Sequence, residues 1–449
     1  MGSFLAYYAI PTIIANVMDL LDTGPSIQNQ HDNKFTISLF AEGLSFPTSM
    51  EFVDNKTIMV LEKNGDVRLV SNGTMQKEPI LSVDVDNEAE RGLLGIAMLK
   101  NNTNASNINL TDSNVKNFAP SNSEFDPVDS NYSVFLYFTE KIKNPVDNNH
   151  TVHNRIYEYS WSSHQNLENP RMIMDLPAEL GPYHNGGKLK IGPDNHLYAI
   201  IGDLVTINNT LQNRPDESNR TTVPNNSSVI IRIDPLKESP PNDNPFYKHY
   251  NNDSKLKSLS YYYAYGIRNS FGFDFDPVTA KLWDTENGED KYDEVNIAEP
   301  GFNSGWYKIM GPLSRNNGSG ITSELVKFNG SHYSDPVLSW FNPIGITDIE
   351  FFKSSKFGKE FENNVFVGDI NNGNLYFFKV NANRSGIDTS KFRDNESGHL
   401  GDKVVDNKTE LERVIFANGF DGRITDIETG TDGYLYILTY FDGRIYRIS

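Results

Sequence analysis

The sequence predicts an all-β protein, a six-bladed β-propeller of four-stranded antiparallel blades. Three observations lead there. One strand–turn–strand unit returns along the chain, and its pentapeptide Ile-Thr-Asp-Ile-Glu is identical at 346–350 and 424–428. The composition of 27 Phe, 22 Tyr and 33 Gly suits pleated, half-buried surfaces joined by tight turns. No Pro/Gly-rich linker divides residues 35–449, which argues against the competing arrangement of two β-sandwich domains.

The units follow in order. The first runs from Thr48-Ser49-Met50-Glu51-Phe52 through Ile58-Met59-Val60-Leu61-Glu62 to Gly65-Asp66-Val67-Arg68-Leu69-Val70. Two more begin at Ile346 and Ile424, the last passing Leu435-Tyr436-Ile437-Leu438-Thr439 to Gly443-Arg444-Ile445-Tyr446-Arg447-Ile448. Degenerate copies follow Gly187 and Ser270, and the residues between 76 and 184 leave room for one further blade and an Asn/Ser-rich surface insertion near 100–131. Alternation along each strand gives two unlike faces, and neither face can be buried by one unit alone. The units therefore stack radially, which also protects their edges. Because the chain ends on a strand, Phe35–Phe40 is expected to complete the last blade.

Charge and cysteine content remove several functions. With 59 acidic and 40 basic residues the formal charge is −19, which repels phosphate backbones and excludes nucleic-acid binding as the main role. The absence of cysteine rules out disulfides, thiolate metal sites and a thiol nucleophile. Residues 1–30 read as a signal or anchor remnant with a linker, and 31–449 as the propeller. The apolar run Phe4–Met18 lacks a basic residue before it, and Pro11, Asp19 and Asp22 interrupt or close it. A membrane-anchor remnant and a short surface helix both fit that run. Of the 52 Asn, 17 stand in Asn-x-Ser/Thr sequons, against about 6 expected by chance. An extracytoplasmic, secreted or cell-surface glycoprotein is therefore expected.

Chemistry-bearing residues fall at equivalent strand ends of successive units. His184 precedes one strand, and Ile201-Gly202-Asp203 closes the next, so the turn at Gly192-Pro193-Asp194-Asn195 returns Asp203 to the level of His184. A carboxylate beside an imidazole sets its tautomer and equips it as a general base; a hydrogen-bonded structural histidine is the alternative. Arg268-Asn269 pairs a guanidinium with an amide, suited to a planar oxygen-rich anion that the aromatics of Tyr261–Tyr265 could wall. Glu286–Glu294 holds five carboxylates in nine residues, oxygen-rich enough for calcium or simply a solvated acidic loop.

Several segments also occur in a familiar order: Glu90-Arg91-Gly92-Leu93-Leu94-Gly95-Ile96-Ala97, His184-Asn185-Gly186-Gly187, Gly192-Pro193-Asp194, Ile201-Gly202-Asp203 and Gly266-Ile267-Arg268-Asn269. Asp293-Glu294-Val295-Asn296, Asn303-Ser304-Gly305-Trp306 and Gly422-Arg423-Ile424 continue it. From residue 40 to 449 the chain resembles the soluble quinoprotein glucose/sorbosone (aldose sugar) dehydrogenases. The resemblance implies a six-bladed propeller that uses pyrroloquinoline quinone (PQQ) and Ca2+ to oxidise the anomeric hydroxyl of an aldose, passing electrons to an external acceptor. It implies His184 as the base and Asp203 as the group orienting it. Arg268, Asn269 and Arg423 become quinone contacts, Arg268 also stabilising developing charge, and the main-chain carbonyls of Gly288 and Glu289 hold the calcium.

Five positions depart from the family pattern; at one, Glu289 replaces a usual proline, which need not matter where the main chain is the ligand. Asn371 stands where a quinone-binding lysine is usual, Thr425 replaces the second arginine of an Arg-x-Arg pair, Glu90 replaces a glutamine, and Tyr183 an acidic residue. A tricarboxylate cofactor thus meets two fewer cations, for which Arg91 or Lys188 are the candidate substitutes. Alternatives are a non-catalytic surface propeller binding glycans or a protein partner, and a calcium-dependent hydrolase on the same architecture.

Overall fold

In the first blade the alternating segments become Pro47–Phe52, Thr57–Glu62, Asp66–Ser71 and Thr74–Met75, paired antiparallel in that order. The Asn72-Gly73 turn between the last two has both φ angles positive, 51° and 76°, the mirror-image hairpin turn whose twist matches the strands. This is a computed structural model, and it describes residues 24–28, 34–101, 131–143, 150–162, 165–178, 181–205, 212–213, 224–249, 254–316, 319–390 and 400–449. Most of the proposed leader and most of the 100–131 insertion lie outside the described residues.

Five further sheets follow. The inferred blade is Leu93–Lys100, Asn131–Lys143, His150–Ser162 and Glu168–Pro177. The third comprises Leu189–Ile191, Leu197–Ile201, Val229–Ile233 and Tyr262–Tyr265; the fourth Phe273–Phe275, Leu282–Glu286, Asp293–Ala298 and Leu338–Trp340. The fifth is built from Ile346–Phe351, Val365–Asp369, Leu375–Phe378 and Ile415–Asn418. Ile424–Thr429, Leu435–Thr439 and Arg444–Ile448 form the sixth, and Ile37–Ala41 completes it, with Ile37 opposite Ile448. This closure joins the two ends of the described chain, as the sequence predicts. Three additions carried no periodic signal: Val404–Val405 lies parallel beside the fourth blade, Ser26–Ile27 edges the fifth, and Leu81–Ser82 pairs with Asp66–Val67 in the first.

Apolar faces meet between blades rather than within them. Six buried clusters separate the six neighbouring pairs. For example, Leu61, Val67, Leu93 and Leu136 join the first blade to the second, while Met50, Val60, Leu438 and Ile445 join the sixth to the first. Tyr262 and Tyr265 are fully buried in one such cluster and Tyr263 packs on Tyr198. They do not wall a ligand, because the outer strand of a blade is covered by its neighbour.

The inner strands face one another across a polar channel. Lys188 Nζ lies 2.5 Å from Asp426 and 3.1 Å from Asp348, and Lys190 Nζ lies 3.0 Å from Asp274 and 3.2 Å from Glu350. Lys353 also reaches Asp274, at 3.0 Å. Burial opposes the Lys188 charge, but Asp348, Asp426 and Glu428 outweigh it and hold the ammonium well above its usual value. Asp274, Asp348, Glu350, Asp426, Glu428 and Glu51 outnumber the three lysines; burial raises Asp348 and Glu428, and lifts Glu51 from 4.5 to about 7 despite Lys190 and Lys188.

Two outcomes are expected. Lys188→Met leaves Asp348 and Asp426 without their nearest counter-charge and costs about 3–5 kcal/mol, read from the urea midpoint at pH 7; a loss below about 1 kcal/mol would show that Lys190 takes over. Glu51 has its folded pKa above the unfolded one, so its contribution is present below pH 4.5 and is lost as pH rises through about 7. Glu51→Gln should therefore gain roughly 2–3 kcal/mol relative to wild type between those limits, checked by urea melts at several pH values.

Candidate active site at the channel mouth

Strand direction decides what gathers at one end of the channel. Each inner strand starts there and each second strand finishes there, so the segments before Leu189–Ile191 and after Leu197–Ile201 return to the same rim. Gly202 makes the close approach, since a Cβ there would stand 2.5 Å from the His184 carbonyl and 2.8 Å from that of Arg268.

His184 has φ 60°, a left-handed conformation that a non-glycine residue keeps only when its surroundings enforce it. Enforcement comes from Glu90, whose Oε2 accepts the His184 backbone N–H at 2.6 Å and the Asn269 amide at 3.2 Å. The carboxylate replacing the family's glutamine thus has one oxygen turned inward, tying three blade junctions together. His184 Nδ1 lies 2.6 Å from Asp203 Oδ1, which also accepts the Val205 N–H at 2.8 Å. Trp306 Nε1 donates to the other oxygen at 2.8 Å. The Nδ1 contact is the kind by which a carboxylate selects one imidazole tautomer and turns the other nitrogen outward. The imidazole is 13% exposed and Asp203 5%, so the pair meets the mouth through the ring alone.

Arg268 stands beside them. Its backbone N–H donates to Glu286 at 2.7 Å, its Nη1 to the Asn287 carbonyl at 3.0 Å, and its guanidinium lies 5.4 Å over the Trp306 ring, a cation–π contact. Burial pushes Glu286 up to about 7 although the Arg268 N–H and the Ser304 hydroxyl both stabilise its charged form. Gly288 follows in a turn closed by Asp293, whose Oδ1 accepts the Gly288 N–H at 2.9 Å. Its Oδ2 accepts three successive N–H groups, from Ile344, Gly345 and Ile346, at 2.9, 2.7 and 3.0 Å. Thus Glu286, Asp293 and Glu294 face inward onto backbone and neighbouring side chains, while Glu289 is exposed. Among the described residues no three His, Asp or Glu side chains converge to hold a metal.

On the fifth and sixth blades Asn371 is exposed at the rim, and the Arg423 guanidinium donates to its carbonyl. Neither candidate substitute cation is available: Arg91 bonds the Ala178 and Gly181 carbonyls, and Lys188 lies in the channel network. Thr425 donates to the Pro47 carbonyl at 3.2 Å. The mouth therefore offers Arg268 and Arg423 to an anion.

Trp306, Glu286 and Asp293 were invisible as functional residues beyond their motifs. Trp306 reaches Asp203 across 103 positions of sequence, a separation that no local pattern reports.

Comparison with known proteins gives relatives and solved structures of the same fold. Aldose sugar dehydrogenase YliI of Escherichia coli K12 is 29% identical over 268 residues, 59% of this chain and 60% of the relative, so the chain spans well under two thirds of that protein. Two solved structures share the fold. One is the soluble aldose sugar dehydrogenase of E. coli in apo form (TM-score 0.63, 20% identity, 92% of this chain and 99% of the other). The other is the PQQ-bound aldose sugar dehydrogenase of Streptomyces coelicolor (TM-score 0.59, 21% identity, 93% and 98%). A family model described as glucose/sorbosone dehydrogenase matches residues 44–447, and the chain belongs to that family.

Proposed function

We propose that this chain is an extracytoplasmic PQQ- and calcium-dependent dehydrogenase that oxidises the C1 hydroxyl of aldose sugars to lactones and passes the electrons to an external acceptor. The observation that carries the reading is the His184–Asp203–Trp306 relay, in which His184 Nε2 makes no hydrogen bond among the described residues. The donor set fits the cofactors. Among the described residues, Arg268 Nε, Asn269 Oδ1 and Asn287 Oδ1 are buried without a partner, a donor and two acceptors of the kind an oxygen-rich ligand and its hard cation require. Arg268, Asn269, Asn371 and Arg423 would hold the quinone, with Glu90 bracing Asn269, and the Gly288 and Glu289 carbonyls the calcium.

The quinone, when bound, supplies the two-electron oxidising power that side chains lack. His184 Nε2 removes the C1 hydroxyl proton, Asp203 keeps the imidazole in the right tautomer and stabilises its charged form, and Arg268 stabilises negative charge developing beside it. Trp306 fixes both Asp203 and Arg268, so it is a positioning residue.

A second reading, a non-catalytic propeller that binds glycans or a protein partner at its mouth, is favoured by one observation: Arg91, Lys188 and Thr425 are all engaged elsewhere, leaving a tricarboxylate two guanidiniums. Titration separates the two. PQQ added to calcium-loaded protein should bind saturably with a Kd on the order of 1–10 µM, followed by absorbance, and the complex should reduce an artificial dye when an aldose panel is added. Absence of saturation at about 50 µM would sink the dehydrogenase. His184→Ala should lower kcat by about 10²–10⁴-fold while leaving the urea midpoint and quinone affinity close to wild type; a variant that keeps its turnover places the base elsewhere.

A further inference from the structure

His184 stands at the head of a turn with three positive φ angles: 60° at His184, 61° at Gly186 and 116° at Gly187. Glycine is at ease there, but a histidine holds such an angle only under constraint. Glu90 and the Ile200 carbonyl take the N–H groups of His184 and Gly187, at 2.6 and 3.0 Å. The remaining hold comes from the second blade. The Tyr137 hydroxyl donates to the Asn185 carbonyl at 2.9 Å, and Asn154 Nδ2 donates to the Asn185 side-chain oxygen at 2.9 Å. The turn also packs tightly on that blade, since a Cβ on Gly95 would stand 2.0 Å from the Gly187 carbonyl.

Asn154 is itself fixed from two sides. Its Nδ2 also donates to the Pro177 carbonyl at 3.0 Å, and its Oδ1 accepts the hydroxyl of Thr139, its register partner on the neighbouring strand, at 2.6 Å. Among the described residues Asn154 is the one partner of the Asn185 side chain, whose own Nδ2 is buried without an acceptor. Tyr137, Thr139, Asn154 and Asn185 are all fully buried, so none of them meets a ligand at the mouth. Burial also pushes the Tyr137 hydroxyl well above its usual value, which keeps it a donor. A buried polar chain of this kind adds little net stability, because apolar side chains of the same shape would serve nearly as well; what it specifies is a single arrangement. The chain ends at Asn185, next to His184, whereas Asp203 is carried by the third blade, just after Leu197–Ile201. The 2.6 Å contact between imidazole and carboxylate is thus made between groups that two different blades hold.

We propose that Tyr137 and Asn154 are positioning residues for the base: through Asn185 they hold the 184–187 turn in its left-handed form and thereby set the contact between His184 and Asp203. The inference rests on the reading of His184 as the base given above. Neither residue takes up the proton or touches the sugar. Without either of them the turn relaxes toward ordinary backbone angles, the imidazole swings away from Asp203, and Nε2 is no longer aimed by the carboxylate.

The test is nitrogen NMR of the full chain carrying isotope-labelled histidine, without quinone, the two His184 ring nitrogens being identified by their disappearance in His184→Ala. Tyr137→Phe removes one hydroxyl and keeps the ring, and Asn154→Ala removes the amide. Tyr157→Phe is the control, because its hydroxyl bonds Glu140 at 2.8 Å on the same blade. The His184 signals should move in the first two variants and stay at their wild-type positions in the control. In quinone- and calcium-loaded protein, kcat should fall about 10–10²-fold in the same two variants, with KM and quinone affinity within about twofold of wild type. Unmoved signals in Tyr137→Phe, signals moved equally by Tyr157→Phe, or a kcat within about twofold of an active wild type each overturn the proposal. Tyr137→Phe decides alone if Asn154→Ala does not fold. If the wild type shows no quinone-dependent turnover, the dehydrogenase reading fails, while the ring signals still decide whether the second blade positions His184.

Discussion

An acidic side chain on one blade accepts a backbone N–H of the next, and the ring depends on this contact. Inner strands belong to different sheets, so their channel-side amides have no ladder partner and would be buried unpaired. Asp348 Oδ2 accepts Ile427 N–H at 2.9 Å, Asp426 Oδ2 accepts Met50 N–H at 2.6 Å, and Asp274 Oδ2 accepts Phe351 N–H at 2.9 Å. The repeated Ile-Thr-Asp-Ile-Glu is the sequence trace of this device: its aspartate links blades, and its glutamate does the same at Glu350, which accepts Thr429 N–H at 3.2 Å. Apolar clusters between blades provide most of the burial, but they are non-directional; the carboxylate contacts set the stagger of one blade on the next.

The same device, moved to the rim, builds the candidate active site. Glu90 holds the backbone of His184, Glu286 that of Arg268, and Asp293 the three amides that open the fifth blade. Each functional side chain thus projects from a junction whose backbone is already clamped by the neighbouring blade. His184 and Arg268, on separate loops, are thereby held by rigid sheets, which is the preorganisation a functional site requires.

These clamps also set the local electrostatics. Carboxylates are used so freely that the lysines cannot answer them all, and Lys188 and Lys190 are drawn into the channel instead of serving the mouth. The rim is left with guanidiniums at Arg268 and Arg423 and, among the described residues, with buried oxygens on Asn269 and Asn287 that no donor reaches.

By itself the sequence determined the all-β class, the six blades and the closure by Phe35–Phe40. Period-two alternation, turn residues and an internal repeat are local signals, and burying two-faced units leaves radial stacking as the solution. His184 and Asp203 were also legible as a pair, because a single hairpin returns one to the other. Tertiary structure decided everything that depends on contact across blades. It buried Tyr262 and Tyr265, turned Glu286 and Asp293 from an apparent acidic loop into backbone clamps, withdrew Arg91 and Lys188, and brought Trp306 to Asp203. None of these follows from spacing, since the direction of these side chains is set by the packing of sheets and loops and not by neighbours in the chain.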